Sequence, residues 1–170
     1  MSVLDSKKFY YQIAILTTVV VFIEIVLGSY VKSTGAGLSC PDWPLCYNQL
    51  IPINYSSEFR YTQVLSEYIH RLTATLVSFL LILMAYLTFK NKNEQGIEGF
   101  PIGQRRFRLM ILILFLLAIQ VILGGLTVLM DLHPDIVSFH LGNAVLIFGA
   151  SVFLLANIYP HANLGKTSNE

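Results

Sequence analysis

The chain alternates long runs without charge and short polar segments. Phe9 to Val31 is 23 residues interrupted by a single charge, Glu24, and Leu109 to Met130 is 22 residues with none. Leu72 to Phe89 adds a charge-free run of 18, extended upstream to about Tyr61 by a turn or two that holds Glu67 and Arg71, and Ile136 to Pro160 adds 25 more. At 1.5 Å per residue a helix of ~20 residues crosses a hydrocarbon core of ~30 Å. The pattern therefore predicts an all-α membrane protein: one four-helix transmembrane domain over 1–170, with spans 9–31, 61–89, 107–130 and 134–160 and an outer loop 32–60.

Composition agrees with the pattern. Of 170 residues, 55% are hydrophobic and only 12% charged, against about a quarter charged in a soluble domain. This excludes a disordered tail, a nucleic-acid-binding module and an ordinary cytosolic enzyme, so no nucleic-acid partner is expected. Lys7 and Lys8 precede the first span, but no small-residue cleavage site follows it, and it is longer than a signal h-region, so it is expected to be retained.

The placement of the cations orients the spans. Lys7, Lys8, Lys90, Lys92, Arg105, Arg106, Arg108 and Lys166 fall at the N-terminus, the second loop and the C-terminus. Lys32 and Arg60 flank the first loop, and the third has no cation. Basic residues favour the cytoplasmic side, which predicts a multi-pass protein of the cell membrane with both termini inside and loops 32–60 and 131–135 outside. Cys40 and Cys46 then lie on the oxidising side, where a bridge between them can persist.

An internal repeat is visible. Glu24-Ile-Val-Leu-Gly-Ser29 near the outer end of the first span aligns with Gln120-Val-Ile-Leu-Gly-Gly125 near the outer end of the third. Each is followed by an outer loop and a helix with a histidine in its first turns, in His70-Arg-Leu-Thr-Ala and His140-Leu-Gly-Asn-Ala. The bundle reads as two parallel helical-hairpin repeats related by an axis along the membrane normal.

His70 and His140 fall at similar depths, roughly 13 and 9 Å below the outer surface. Two imidazoles level with each other on parallel helices can face one another across the axis with a metal macrocycle between them, as the axial ligands of a haem iron require. Taken singly, each could instead hydrogen-bond between helices. The matched positions favour the haem reading for the pair. Gly28, Gly124, Gly125, Gly142 and Ala144 leave room for a flat ligand or for close helix packing. A zinc site is not expected, because the pair lacks third and fourth protein ligands.

Other groups carry chemistry less distinctively. Cys40-Pro-Asp-Trp-Pro-Leu-Cys46 is a stiff segment whose cysteines serve either redox chemistry or as a staple for the outer loop. Glu24, inside a charge-free span, is either part of a proton route or bonded to a neighbouring helix. Arg71 follows Glu67 at i+4, a spacing for an ion pair, and could alternatively meet a haem propionate. His133 and His161 lie at the membrane edges, and Phe59, Tyr61, Tyr68, Phe89 and Tyr159 fit an aromatic belt. Asn54-Tyr-Ser56 matches a glycosylation sequon.

The run from Gly28 to Cys46, Gly-Ser-Tyr-Val-Lys-Ser-Thr-Gly-Ala-Gly-Leu-Ser-Cys-Pro-Asp-Trp-Pro-Leu-Cys, followed by Glu67-Tyr-Ile-His-Arg71, closely resembles the N-terminal half of the haem A synthase family. Leu123-Gly-Gly-Leu-Thr-Val128, with His140 in the next helix, continues the likeness over nearly the whole chain. Most members have eight helices in two four-helix halves, and Glu24 stands here where Gln is expected, as in the second repeat.

The resemblance implies an oxidoreductase that converts the C8 methyl of haem O to the formyl group of haem A for terminal oxidase assembly. Haem O is then the substrate and haem A the product, with haem B a further candidate cofactor. It also implies His70 and His140 as ligands to haem iron, Glu67 as the reactive-site carboxylate and Cys40 with Cys46 as the outer-loop cysteine pair; from their own setting, Arg71 is expected to bind the cofactor and the two cysteines to form a disulfide. Expected partners are the lipid bilayer, a second copy of the chain in a homo-oligomer, haem O synthase and terminal oxidase subunits. The competing readings are a bis-histidine haem carrier or electron-transfer protein without catalysis, and a membrane thiol–disulfide oxidoreductase.

Overall fold

The structure is a computed structural model that describes residues 3–53, 59–93 and 102–163, leaving the sequon at Asn54–Ser56, Lys166 and the side chains of Tyr159 and His161 outside the described residues. Four helices follow one another: α1 Val3–Ser33, α2 Tyr61–Lys90, α3 Ile102–Leu129 and α4 Pro134–Asn163. All four are long and apolar enough to cross a membrane, and among the described residues there is no strand. The chain is an all-α, multi-pass membrane bundle.

The helices run past the apolar stretches that announce them. α3 starts at Ile102 rather than near 107, because Gln104, Arg105 and Arg106 are good helix formers that extend the span beyond the hydrocarbon. Arg106 is buried there, donating from Nε and Nη2 to the Asn157 carbonyl of α4 at 3.2 and 2.7 Å. α2 opens where Gln63 accepts the Arg60 N–H at 3.1 Å and donates to the Thr34 carbonyl at 3.2 Å, which ties the start of α2 to the end of α1. α3 ends in a Schellman-like turn. Leu132 N–H returns to the Thr127 carbonyl, and Asp131 and Leu132 take positive φ before Pro134 occupies the first position of α4.

Packing proceeds around a ring: α1 on α2, α2 on α3, α3 on α4 and α4 on α1. Among the described residues the diagonal pairs, α1 with α3 and α2 with α4, do not meet. The inner half of the ring is filled by Tyr10, Ala14, Val21, Leu81, Met84, Met110, Ile113, Ile147 and Leu154, and Tyr10 Oη bonds Thr88 Oγ1 at 2.9 Å. Phe22, Val26, Phe79, Ile82, Ile122 and Leu146 are exposed. Large apolar side chains turned outward along all four helices suit lipid rather than water as the surrounding solvent.

Candidate haem site and its cap

His70 and His140 sit on α2 and α4, the diagonal pair whose backbones do not meet. Each imidazole rests on a glycine of the helix preceding it in sequence. A Cβ added at Gly28 would stand 3.0 Å from His70 Cε1, and one at Gly124 would stand 3.3 Å from His140 Cε1. Both glycines thus let the Cε1 edge of a ring come close to the neighbouring helix, where a larger residue would displace it.

The repeat also governs what each ring touches. Four residues before the glycine, Glu24 brings Oε1 to 2.8 Å from His70 Nδ1, and Gln120 brings Nε2 to 3.4 Å from His140 Nε2. The Glu24 approach is short but off the ring N–H axis, so it is a close polar contact rather than an aligned hydrogen bond; Nδ1 of both histidines and Oε2 of Glu24 are buried without one. On the other side Asn143, buried one turn beyond His140, donates to Gln120 Oε1 at 2.7 Å and to the Leu116 carbonyl at 2.9 Å. Sequence reasoning passed over Asn143. Its i+3 spacing from His140 was the available signal.

The loop between α1 and α2 forms a cap over this end of the bundle. Cys40 and Cys46 are joined by a disulfide, with Cα atoms 4.7 Å apart, and both are buried. Between them Asp42 accepts the N–H groups of Tyr47 and Asn48 at 2.7 and 2.5 Å. Trp43 reaches across to α3, where its indole covers Gly125, and Gly37 packs on Leu132 of the loop between α3 and α4. Burial shields the sulfurs from an attacking thiolate, so the bridge has the setting of a staple.

Glu67 and Arg71 fasten the cap to α2. Glu67, 3% exposed, accepts Ser39 Oγ–H at 3.0 Å and Cys40 N–H at 2.8 Å on Oε2, and Arg71 Nη2 at 2.6 Å on Oε1. Arg71 also donates to the carbonyls of Cys40, Asp42 and Leu45 at 2.9, 2.6 and 2.5 Å. The Nη hydrogens are thereby committed to the loop and to Glu67, which leaves Nε–H as the donor for a propionate. His133 stands apart in an exposed pair with Asp135 at 3.8 Å.

Among the described residues no cluster of three or more His, Cys, Asp or Glu could hold a bare metal ion. Two imidazoles alone, on helices separated by the width of the bundle and each backed by glycine, instead suit a metal that brings its own equatorial ligands. Two imidazoles, each with a buried ring nitrogen and each lying against a glycine of the neighbouring helix, make the residues present a fit for haem.

Residues 11–169 match the COX15-CtaA family model, described as cytochrome oxidase assembly protein. The chain belongs to this family. It is 31% identical over 156 residues to a heme A synthase of Shouchella clausii, covering 91% of this chain and 48% of that protein. It is also 25% identical over 154 residues to heme A synthases of Bacillus cereus and Bacillus anthracis, covering 90% of this chain and 45% of each. The chain thus spans about half the length of the curated relatives it matches. No solved structure matches.

Proposed function

We propose that this chain acts as a haem A synthase, an oxidoreductase that takes haem O as substrate and oxidises its C8 methyl to the formyl group of haem A. The observation that carries this reading is the doubled Gly–His contact, Gly28 of α1 with His70 of α2 and Gly124 of α3 with His140 of α4, in a member of a family whose relatives are heme A synthases. His70 and His140 hold the iron, from α2 and α4. The bound macrocycle supplies the reacting methyl group and, through its iron, a site for electron transfer; haem B is the alternative occupant.

Glu67 is the reactive-site carboxylate on this reading. It lies three residues before His70, so it stands one helical turn nearer the outer surface on the same face. Three donors fix its position, and a carboxylate has about four acceptor positions, so one stays free for the substrate edge. There it can accept a proton or stabilise positive charge developing at the methyl carbon. Arg71 matches its charge and holds the cap closed, excluding water from the outer end.

The protein would work in the cell membrane with both termini cytoplasmic, so that the cap faces outward. Its partners would be the bilayer, a second copy of the chain, haem O synthase as supplier and terminal oxidase subunits as recipients. The deciding experiment expresses the protein in cells that make haem O, extracts the pigment and identifies it by chromatography and mass. Haem A is the expected product; haem O alone, from cells in which the protein is present and loaded, sinks the enzymatic reading.

A further inference from the structure

We propose that Glu24 is a positioning residue that makes the two axial sites of the bundle electronically unequal; this rests on the reading of His70 and His140 as haem ligands. The two hairpins place corresponding residues against the two rings: Glu24 on His70 and Gln120 on His140. The partner positions are repeated, but the ring atom and the chemistry differ: Glu24 meets Nδ1 of His70, and Gln120 meets Nε2 of His140. On the α4 side the partner is a neutral amide, whose oxygen is held by Asn143 at 2.7 Å. On the α2 side it is a carboxylate, and the polar group it meets is His70 Nδ1, at 2.8 Å, while its other oxygen is buried without a hydrogen bond.

A carboxylic side chain inside a membrane span with one polar neighbour is explained by that neighbour. A small rotation of the imidazole brings Nδ1–H into line with Oε1, which fixes the tautomer that leaves Nε2 as the ligand atom. A carboxylate oxygen can accept from the His70 ring N–H, whereas Gln120 turns its amide nitrogen to His140 and its oxygen to Asn143, so His70 becomes the more electron-donating ligand and His140 the weaker one. With haem bound, the inequality would favour the oxidised state of the iron.

The test compares the parent with Glu24→Gln, which restores in the first hairpin the amide of the second with little change of shape. Each is purified in detergent and loaded with hemin. The expected result is haem bound at the parent's stoichiometry, with a midpoint potential shifted to more positive values. Should Glu24→Gln fail to accumulate, Gln120→Glu reads the same inequality from the other side and is expected to shift the midpoint negative. A midpoint unchanged in a loaded variant would overturn the proposal. Without added hemin, histidine-labelled parent should show a downfield His70 Nδ1 proton that moves upfield in Glu24→Gln. Its absence from the parent also overturns the proposal, whereas its presence in a protein that takes up no hemin sinks the haem reading and leaves the Glu24–His70 contact standing.

Discussion

The backbone N–H of Cys40 donates to Oε2 of Glu67 at 2.8 Å. One end of the disulfide is thereby bonded to the carboxylate proposed to act on the substrate, and Arg71 grips the other side of the same loop through the Leu45 carbonyl. The cap and the site are one hydrogen-bonded unit, so a change in either is felt in both.

Replacing both Cys40 and Cys46 by Ser should lower stability by about 2 kcal/mol, the figure for cross-linking a short loop. It should reduce haem conversion more than haem retention, because the site histidines lie on helices that stay in place while Glu67 loses a fixed donor. Thermal unfolding in detergent and pigment extraction measure the two effects. Thiol labelling of the parent before reduction should find no free cysteine; conversion at the parent's rate in the double variant would make the bridge dispensable to the chemistry.

Glu67→Gln removes the charge opposite Arg71 with little change of shape. Breaking a buried ion pair costs about 3 kcal/mol, softened here because Arg71 keeps three loop carbonyls. The variant should bind haem and leave haem O unconverted. Haem A made at the parent's rate would exclude a catalytic role, and equal loss of haem in Glu67→Gln and His70→Ala would assign Glu67 to binding or folding.

His70→Ala and His140→Ala should each abolish the six-coordinate, low-spin absorption spectrum. If both variants retain the parent's bands and haem content, the axial assignment is wrong.

The glycine beds give a sharper test, because alanine favours a helix over glycine by about 1 kcal/mol. Gly28→Ala and Gly124→Ala should therefore leave helix stability unharmed while pushing the imidazoles. The effect should be greater at Gly28, where the added Cβ stands 3.0 Å from the ring, than at Gly124, where it stands 3.3 Å. A loss of roughly tenfold in hemin affinity, about 1.4 kcal/mol, is expected for Gly28→Ala by spectroscopic titration. Unchanged affinity in both variants would show that the rings do not need the glycines beside them.

The four spans, the hairpin repeat and the two histidines are legible in the linear chain because a bilayer imposes a coarse rule. About twenty residues must avoid charge, so a Glu, a Gln or a His inside such a run stands out against its neighbours. The repeat then pairs Glu24 with Gln120 and His70 with His140 by local spacing alone. What the chain could not disclose is where flexible polar side chains point. The spacing offers Arg71 to Glu67 or to a propionate; it does pair with Glu67, but its other Nη hydrogens turn to the carbonyls of a loop 26–31 residues away. Trp43, Gly125, Asn143 and Gln120 likewise meet across elements. Periodicity along one helix fixes depth and face, but the choice among partners for a long side chain depends on which carbonyls and amides of distant segments are left unbonded nearby, and the folded chain alone decides that.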